Sequence, residues 1–246
     1  MKNIKLVVEY NGSEFFGWQK QNGKRTVQGV LEQACFTLTK QEVVVEGSGR
    51  TDRGVHALGQ VASVKLETKM PLKNMKVALN DLLPDDIRIR KVEEADNDFH
   101  ARFSAKEKTY RYIVQTGGEK RAINHNLQAY YPFEVDMQKM GKVARLLVGK
   151  HNFKGFCSAD TNVTNFEREI FALDIKKKGR ICTFEVTGNG FLYNMVRILV
   201  GTLLEVGRGK LTREDVEKAL STGERKYAGK TMPACGLYLK EVVYKK

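Results

Sequence analysis

One stretch constrains this chain more than any other: Gly47-Ser48-Gly49-Arg50-Thr51-Asp52-Arg53-Gly54-Val55-His56-Ala57-Leu58-Gly59. Four of its residues are glycine, and apolar runs flank it, Val43 to Val45 before and Val61 to Leu66 after. The flanks predict two strands with a loop carried between them, and loops held on a rigid sheet are where chemistry concentrates. Glycine allows positive φ and close approach of a ligand to the backbone. Asp52 is the one carboxylate in the loop, with Arg50 and Arg53 beside it. Neighbouring cations favour the ionised carboxylate, and guanidinium groups offer planar, forked donors. Such a loop can present a single charged carboxylate to an anionic substrate. A solvated turn would have the same composition, so the residues alone leave both readings open. Two phosphate-binding motifs are excluded. No Lys-Ser or Lys-Thr follows the glycines at P-loop spacing, and Asp52 occupies the third glycine position of a G-x-G-x-x-G.

Hydrophobic periodicity places the loop in a larger pattern. Ile4 to Tyr10 reads as a strand, followed by a turn at Asn11-Gly12-Ser13 and an aromatic cluster, Phe15, Phe16 and Trp18, read as core. Thr26 is placed to cap a helix whose Val27, Val30, Leu31, Ala34, Cys35 and Leu38 share one face. The two strands around Asp52 follow. Pro71 opens a second helix carrying Leu72, Met75, Leu79 and Leu82, Pro84 closes it, and Ile87 to Val92 is a further strand. The order β-α-β-β-α-β predicts an α+β, ferredoxin-like half with an antiparallel sheet.

The second half repeats the order without repeating the sequence. It has strands at Thr109 to Gln115, Glu167 to Lys176, Ile181 to Gly188 and Gly236 to Tyr244. Its helices begin at Asp136 and run from Phe191 to Glu205, with an extra one capped by Thr212. The expected division is 1–105 and 106–246, with the two sheets joined edge to edge so that two exposed edges vanish.

A formal charge of +13 over 246 residues makes nucleic acid the leading partner, ahead of an anionic membrane surface. No apolar run approaches the roughly 20 residues that span a bilayer. Met1 to Ile4 lead straight into a strand and are not read as a secretion signal. Cys35, Cys157, Cys182 and Cys235 form no C-x-x-C pair, which suits a reduced, cytoplasmic chain. His151 and Cys157 lack a second ligand pair, so no zinc site is expected.

Three residues outside the loop are candidates only in context. Tyr110 lies in Lys106-Glu107-Lys108-Thr109-Tyr110-Arg111-Tyr112, a strand with cations and aromatics interleaved. By pattern it is a core tyrosine. Arg197 stands off the apolar stripe of its helix, three residues after Asn194. By pattern it is a solvated arginine. Leu237 in Gly236-Leu237-Tyr238-Leu239 reads as an ordinary strand leucine.

A resemblance gives these residues roles. Arg50-Thr51-Asp52 followed by Gly54-Val55-His56-Ala57 resembles the catalytic loop of the TruA family of tRNA pseudouridine synthases. The match extends from Glu9-Tyr10-Asn11-Gly12 through Phe99-His100-Ala101-Arg102 and the K-x-Y-x-Y strand at Lys108 to the last strand. One position departs: Arg53 stands where the family has a small residue. The resemblance implies the following roles. Asp52 attacks the target uridine, Tyr110 lies against its base, Arg197 pairs with Asp52, and Leu237 packs on the uracil. Arg50 and His56, which match the motif, and Arg53, read from its place beside the carboxylate, complete the expected substrate-binding set. The implied fold is two ferredoxin-like halves with the site in a cleft where their sheets meet. The implied activity converts uridine to pseudouridine at tRNA positions 38, 39 and 40, in the anticodon stem-loop, with no cofactor and no metal. A homodimer clasping one tRNA is implied too. Phosphate contacts are expected from Lys20, Lys24, Arg25, Arg102, Lys106, Lys108, Arg111, Lys120 and Arg121. The alternatives are a non-catalytic tRNA-binding protein, a synthase acting on other RNA positions, and a hydrolase. The last needs a paired acid, and the loop supplies none.

Overall fold

The structure, a computed structural model, describes residues 1–158 and 163–244. It contains two compact units: Met1–Lys106 together with the chain from Tyr238, and Glu107–Leu237.

The first unit has β1 (Lys2–Tyr10), α1 (Val27–Thr39), β2 (Glu46–Gly47), β3 (His56–Leu66), α2 (Leu72–Leu82) and β4 (Ile87–Ala95), and β10 (Leu237–Tyr244) enters it at Tyr238. Its sheet runs β4-β1-β3-β10, with β1 antiparallel to both β3 and β4. β1 alternates as a strand with one face covered must, burying Ile4, Leu6, Val8 and Tyr10. Thr26 caps α1 as expected, its hydroxyl accepting from the Gly29 amide at 3.3 Å. The aromatic cluster is core at Phe15 and Trp18.

The strand expected at Val43 to Val45 is displaced to the two residues of β2, which pair with Ser63 and Ala62 of β3. The reason is a contact with α1. The Val45 amide donates to Glu32 Oε1 of α1 at 3.2 Å, which removes it from any ladder. β10, expected to close the second half, runs parallel to β3, with Tyr238 opposite His56 and Leu239 opposite Ala57.

The second unit contains β5 (Ala105–Thr116), β6 (Ala129–Tyr131), α3 (Met137–Ala144), β7 (Gly149–Asn152), β8 (Glu167–Lys178), β9 (Ile181–Gly188), α4 (Met195–Arg208) and α5 (Arg213–Thr222). Its sheet runs β5-β9-β8-β7, antiparallel throughout, and short β6 adds parallel to the end of β5. β6 and β7 were not foreseen, being three and four residues long. Asp136 caps α3, and Thr212 with Asp215 closes a capping box on α5. The helix expected from Phe191 begins only at Met195. Asn194 has φ 61°, a left-handed conformation that no helix passes through, so Phe191 and Leu192 precede α4 and do not lie on its stripe.

α4 is buried along nearly its whole length, and small residues let the chain lie directly against it. A Cβ on Gly201 would fall on the Lys230 carbonyl oxygen. The Gly229 amide donates to Thr202 Oγ1 at 2.8 Å in the same contact. Backbone faces backbone here, so no side chain can swing aside. Gly201→Ala is therefore expected to cost about 3 kcal/mol, at the upper end of overpacking effects. For a chain of this size that lowers the melting temperature by about 6–12 °C. A calorimetric midpoint unchanged by the substitution would show that the segment can move away freely.

Candidate active site

In the first unit the loop from Ser48 to Val55 is braced at each end. Ser48 and Gln60 are both fully buried. The Ser48 amide donates to the Val61 carbonyl at 2.7 Å, the Ser48 hydroxyl to Gln60 Oε1 at 2.6 Å, and Gln60 Nε2 to the Gly49 carbonyl at 3.0 Å. A buried amide satisfied in this way fixes the backbone it holds. The middle is tied to the segment after β1. The Trp18 amide donates to the Thr51 carbonyl at 3.0 Å, and the Gly54 amide to the Phe15 carbonyl at 3.3 Å. Thr51 Oγ1 shares a 2.8 Å hydrogen bond with the Tyr10 hydroxyl. Burial pushes the Tyr10 phenol up to about 12, against the smaller opposing effect of that bond, so it stays neutral.

Asp52 sits at the head of a tight turn. Its carbonyl accepts from the Val55 amide at 3.1 Å, and Gly54, third in the turn, has φ +77°. A residue with a side chain resists that angle, which is why glycine stands there. The Asp52 residue is half-buried, while Arg50 and Arg53 on either side of it are exposed. Arg50 Nε donates to Gln19 Oε1 at 3.0 Å. The Arg53 guanidinium lies 4.3 Å from the centre of the Phe16 ring. That position gives the unusual arginine a cation–π contact worth about 0.5–1 kcal/mol at an exposed site.

His56 was expected to contact substrate, but it is only 1 % exposed. Its Nδ1 accepts from the Gly12 amide at 3.0 Å, and its ring stacks on Tyr238 at 4.6 Å. It is the first residue of β3 and joins the loop's end to both β10 and the turn after β1. This geometry makes it a brace for the loop.

In the second unit Tyr110 is 9 % exposed on β5, opposite Val186 of β9. Its ring packs edge-on to Phe191, with centroids 5.1 Å apart and planes at 84°. Arg197 lies in the first turn of α4. Nε donates to the Met232 carbonyl and Nη1 to Asn194 Oδ1, both at 2.6 Å. Asn194 Nδ2 in turn donates to Ser158 Oγ at 2.8 Å. Asn194 thus does two things: its backbone starts the helix and its amide holds the guanidinium. Leu237 is buried and immediately precedes Tyr238. The Tyr112 hydroxyl donates to the Pro233 carbonyl at 2.7 Å.

Asp52, Arg50, Arg53 and His56 are thus grouped in the first unit, and Tyr110, Arg197 and Leu237 in the second. Several cations expected at phosphates are held by carboxylates. Arg25 makes a two-pronged pair with Asp86 at 2.7 and 2.8 Å, Lys20 reaches Glu32 at 2.9 Å, and Arg111 pairs with Glu185 at 2.8 Å. The braces Ser48, Gln60 and Asn194 escaped sequence reading, because polar residues of these types usually face water. Among the described residues no three His, Cys, Asp or Glu side chains cluster closely enough to hold a metal ion. No described helix is long and apolar enough to cross a membrane.

A family model described as tRNA pseudouridine synthase matches residues 6–104 and 143–245. Both matched segments carry site candidates, the Asp52 loop in one and Arg197 with Leu237 in the other, while Tyr110 lies between them. The tRNA pseudouridine synthase A of Caldicellulosiruptor bescii is 44% identical over 244 residues, covering 99% of this chain and 100% of its own. That of Geobacillus sp. strain WCH70 is 47% identical, covering 99% of this chain and 98% of its own. That of Bacillus pumilus is 46% identical, with 98% of each chain covered. Among solved structures, a chain of a Cbf5-Nop10-Gar1 complex covers 96% of this chain and 57% of its own at 13% identity. Its TM-score of 0.40 is too low to bear on the site.

Proposed function

The chain belongs to the tRNA pseudouridine synthase family, and from that premise we propose that it isomerises uridine to pseudouridine at positions 38, 39 and 40 of the tRNA anticodon stem-loop. The observation that carries this reading is the Asp52 loop: one half-buried carboxylate on a turn tied down from both ends, with two exposed arginines beside it. The reaction breaks the bond from uracil N1 to ribose C1′, turns the base, and joins C5 to C1′. C5 loses a proton and N1 gains one, so nothing is added or removed. The base must first leave its stack, which costs a few kcal/mol, recovered by stacking in the pocket. In this reading Asp52 meets the reacting nucleotide. Arg197 is the cation this reading assigns to the carboxylate, and a guanidinium so placed favours the charged form. Tyr110 lies against the base and Leu237 packs on it, while Arg50 and Arg53 meet the RNA beside it. The +13 charge supplies the sequence-independent hold on phosphates. The chain acts in the cytoplasm as a homodimer gripping one tRNA.

The test is incubation of unmodified tRNA with the protein, followed by chemical mapping of pseudouridine. Conversion confined to positions 38 to 40 is expected. Absence of pseudouridine at saturating protein would leave a tRNA-binding protein in its place.

Tyr110 gives a finer expectation. Tyr110→Phe keeps the ring and its edge contact with Phe191, so conversion should stay within a few-fold of wild type. Tyr110→Ala removes a stacking group worth about 1–3 kcal/mol per base, which predicts a loss of about 5- to 150-fold. Truncating a buried ring also weakens packing, so rates are compared at a temperature where both variants are folded. Equal damage in the two variants would move the role from the ring to the hydroxyl.

A further inference from the structure

A chain of hydrogen-bonded polar side chains, buried at its inner end, leads from α1 of the first unit to Arg50. Glu32 and Gln28 lie on α1, 8 % and 5 % exposed, which is rare for such residues unless they are paired. Glu32 Oε1 accepts from Gln28 Nε2 at 3.0 Å and from the Val45 amide at 3.2 Å. Its Oε2 accepts from Lys20 Nζ at 2.9 Å. Gln28 Oε1 accepts from the Lys20 amide at 2.8 Å and from Gln19 Nε2 at 2.9 Å. Gln19 Oε1 then accepts from Arg50 Nε at 3.0 Å.

The polarity of this chain is forced at each link. A backbone N–H can only donate, so the Gln28 atom facing the Lys20 amide must be oxygen. That turns the Gln28 amide nitrogen toward the Glu32 carboxylate, which only accepts. The Gln28 oxygen in turn requires nitrogen from Gln19. The Gln19 oxygen is left facing outward, where only a donor suits it, and that donor is Arg50. A buried amide that flipped would set acceptor against acceptor and strand polar groups away from water. The helix thus dictates which atom Gln19 shows to the catalytic loop, and that atom holds the guanidinium through Nε. Nη1 and Nη2, the two outer nitrogens, are the ones such a grip leaves for an anion.

We propose that Gln19 and Gln28 are positioning residues of the reaction: they fix the direction of Arg50 so that its outer nitrogens meet the RNA at the nucleotide reacting with Asp52. This rests on the reading of Arg50 as a substrate-contacting residue. Overall affinity comes from many phosphate contacts elsewhere, so a misdirected Arg50 lowers kcat with little change in KM.

The experiment is a double-mutant cycle on conversion of an anticodon stem-loop, using wild type, Gln19→Ala, Arg50→Ala and the double variant. Gln19 is only partly buried, so its loss leaves the fold intact, and thermal melts check this. Gln19→Ala is expected to lower kcat about tenfold, as the loss of one charge-assisted hydrogen bond does. In the Arg50→Ala background the same change should do nothing more, because its target is gone. Gln19→Glu keeps an acceptor for Arg50 but cannot donate to Gln28, and should fail to restore the rate. Effects that multiply in the double variant, or a Gln19→Ala enzyme with wild-type kcat, would overturn the proposal. Wild-type protein that forms no pseudouridine would overturn the functional reading itself, a result separate from either.

Discussion

Replacing Asp52 by asparagine is expected to abolish pseudouridine formation and leave tRNA binding nearly untouched. The backbone of the loop is held by hydrogen bonds that other groups supply. The turn is closed by the Asp52 carbonyl and the Val55 amide, and its flanks are held by Ser48, Gln60, Thr51 and Gly54. Asparagine keeps the shape and the backbone bonds. What it removes is the negative charge and the only carboxylate in the loop. An amide is neither basic nor nucleophilic enough to take part in breaking a glycosidic bond. Binding should survive because affinity comes mainly from lysines and arginines at phosphates. The apparent Kd is expected to stay within about twofold, tightening if anything, since one negative charge facing RNA is gone. Single-turnover conversion and a binding titration on the same preparation separate the two effects. Conversion at near wild-type rate in the asparagine variant would remove Asp52 from the chemistry.

Much of the fold was legible in the sequence where its signals are local. The stripe Val27, Val30, Leu31, Ala34, Cys35 and the cap Thr26 specify α1 without help from the rest of the chain. β9 came out at its full length, Ile181–Gly188, since its alternation is uninterrupted. The failures have a common physical origin, a tertiary contact that overrides a local preference. Val43 to Val45 has the composition of a strand, but Glu32 takes the Val45 amide. Phe191 and Leu192 extend the apolar pattern of α4, but Asn194 adopts a left-handed conformation before it. β10 has a plain strand pattern, yet nothing in that pattern says it will lie parallel to β3.

The site divides in the same way. Asp52, Arg50 and Arg53 were visible as a charged group among glycines. The residues that hold them were not. Gln28 and Glu32 look like solvent-facing positions on a helix, and only the folded chain shows them buried and bonded to one another. His56 stands inside the motif, and its ring is buried, receiving the Gly12 amide and stacking on Tyr238. A motif marks where the site is without saying which of its members face outward.

Arg197→Lys should be almost as damaging as Arg197→Ala, although lysine keeps the positive charge. The guanidinium is held by two bonds in different directions, Nε to the Met232 carbonyl and Nη1 to Asn194 Oδ1. Only a planar fork can satisfy both and still aim its remaining nitrogen. A lysine ammonium is a single point at the end of a flexible stem and can reach one of the two acceptors at most. The other acceptor loses its donor, which costs about 1–3 kcal/mol if it is buried. The charge is also no longer aimed. If Arg197 orients the reacting carboxylate, as proposed, the lysine variant should fall about 100-fold or more in kcat, in line with removal of a preorganised electrostatic group. A companion substitution separates aim from charge. Asn194→Gly, which accepts the left-handed backbone at that position, leaves Arg197 and its bond to Met232 in place but removes the second tether. It should cost less than Arg197→Lys, about tenfold, the value of one charge-assisted hydrogen bond. The measurement is single-turnover conversion for the three variants, with melting curves to set a temperature at which all are folded. An Arg197→Lys enzyme within a few-fold of wild type would mean that a positive charge alone suffices and that the paired anchors on Met232 and Asn194 do not direct the reaction.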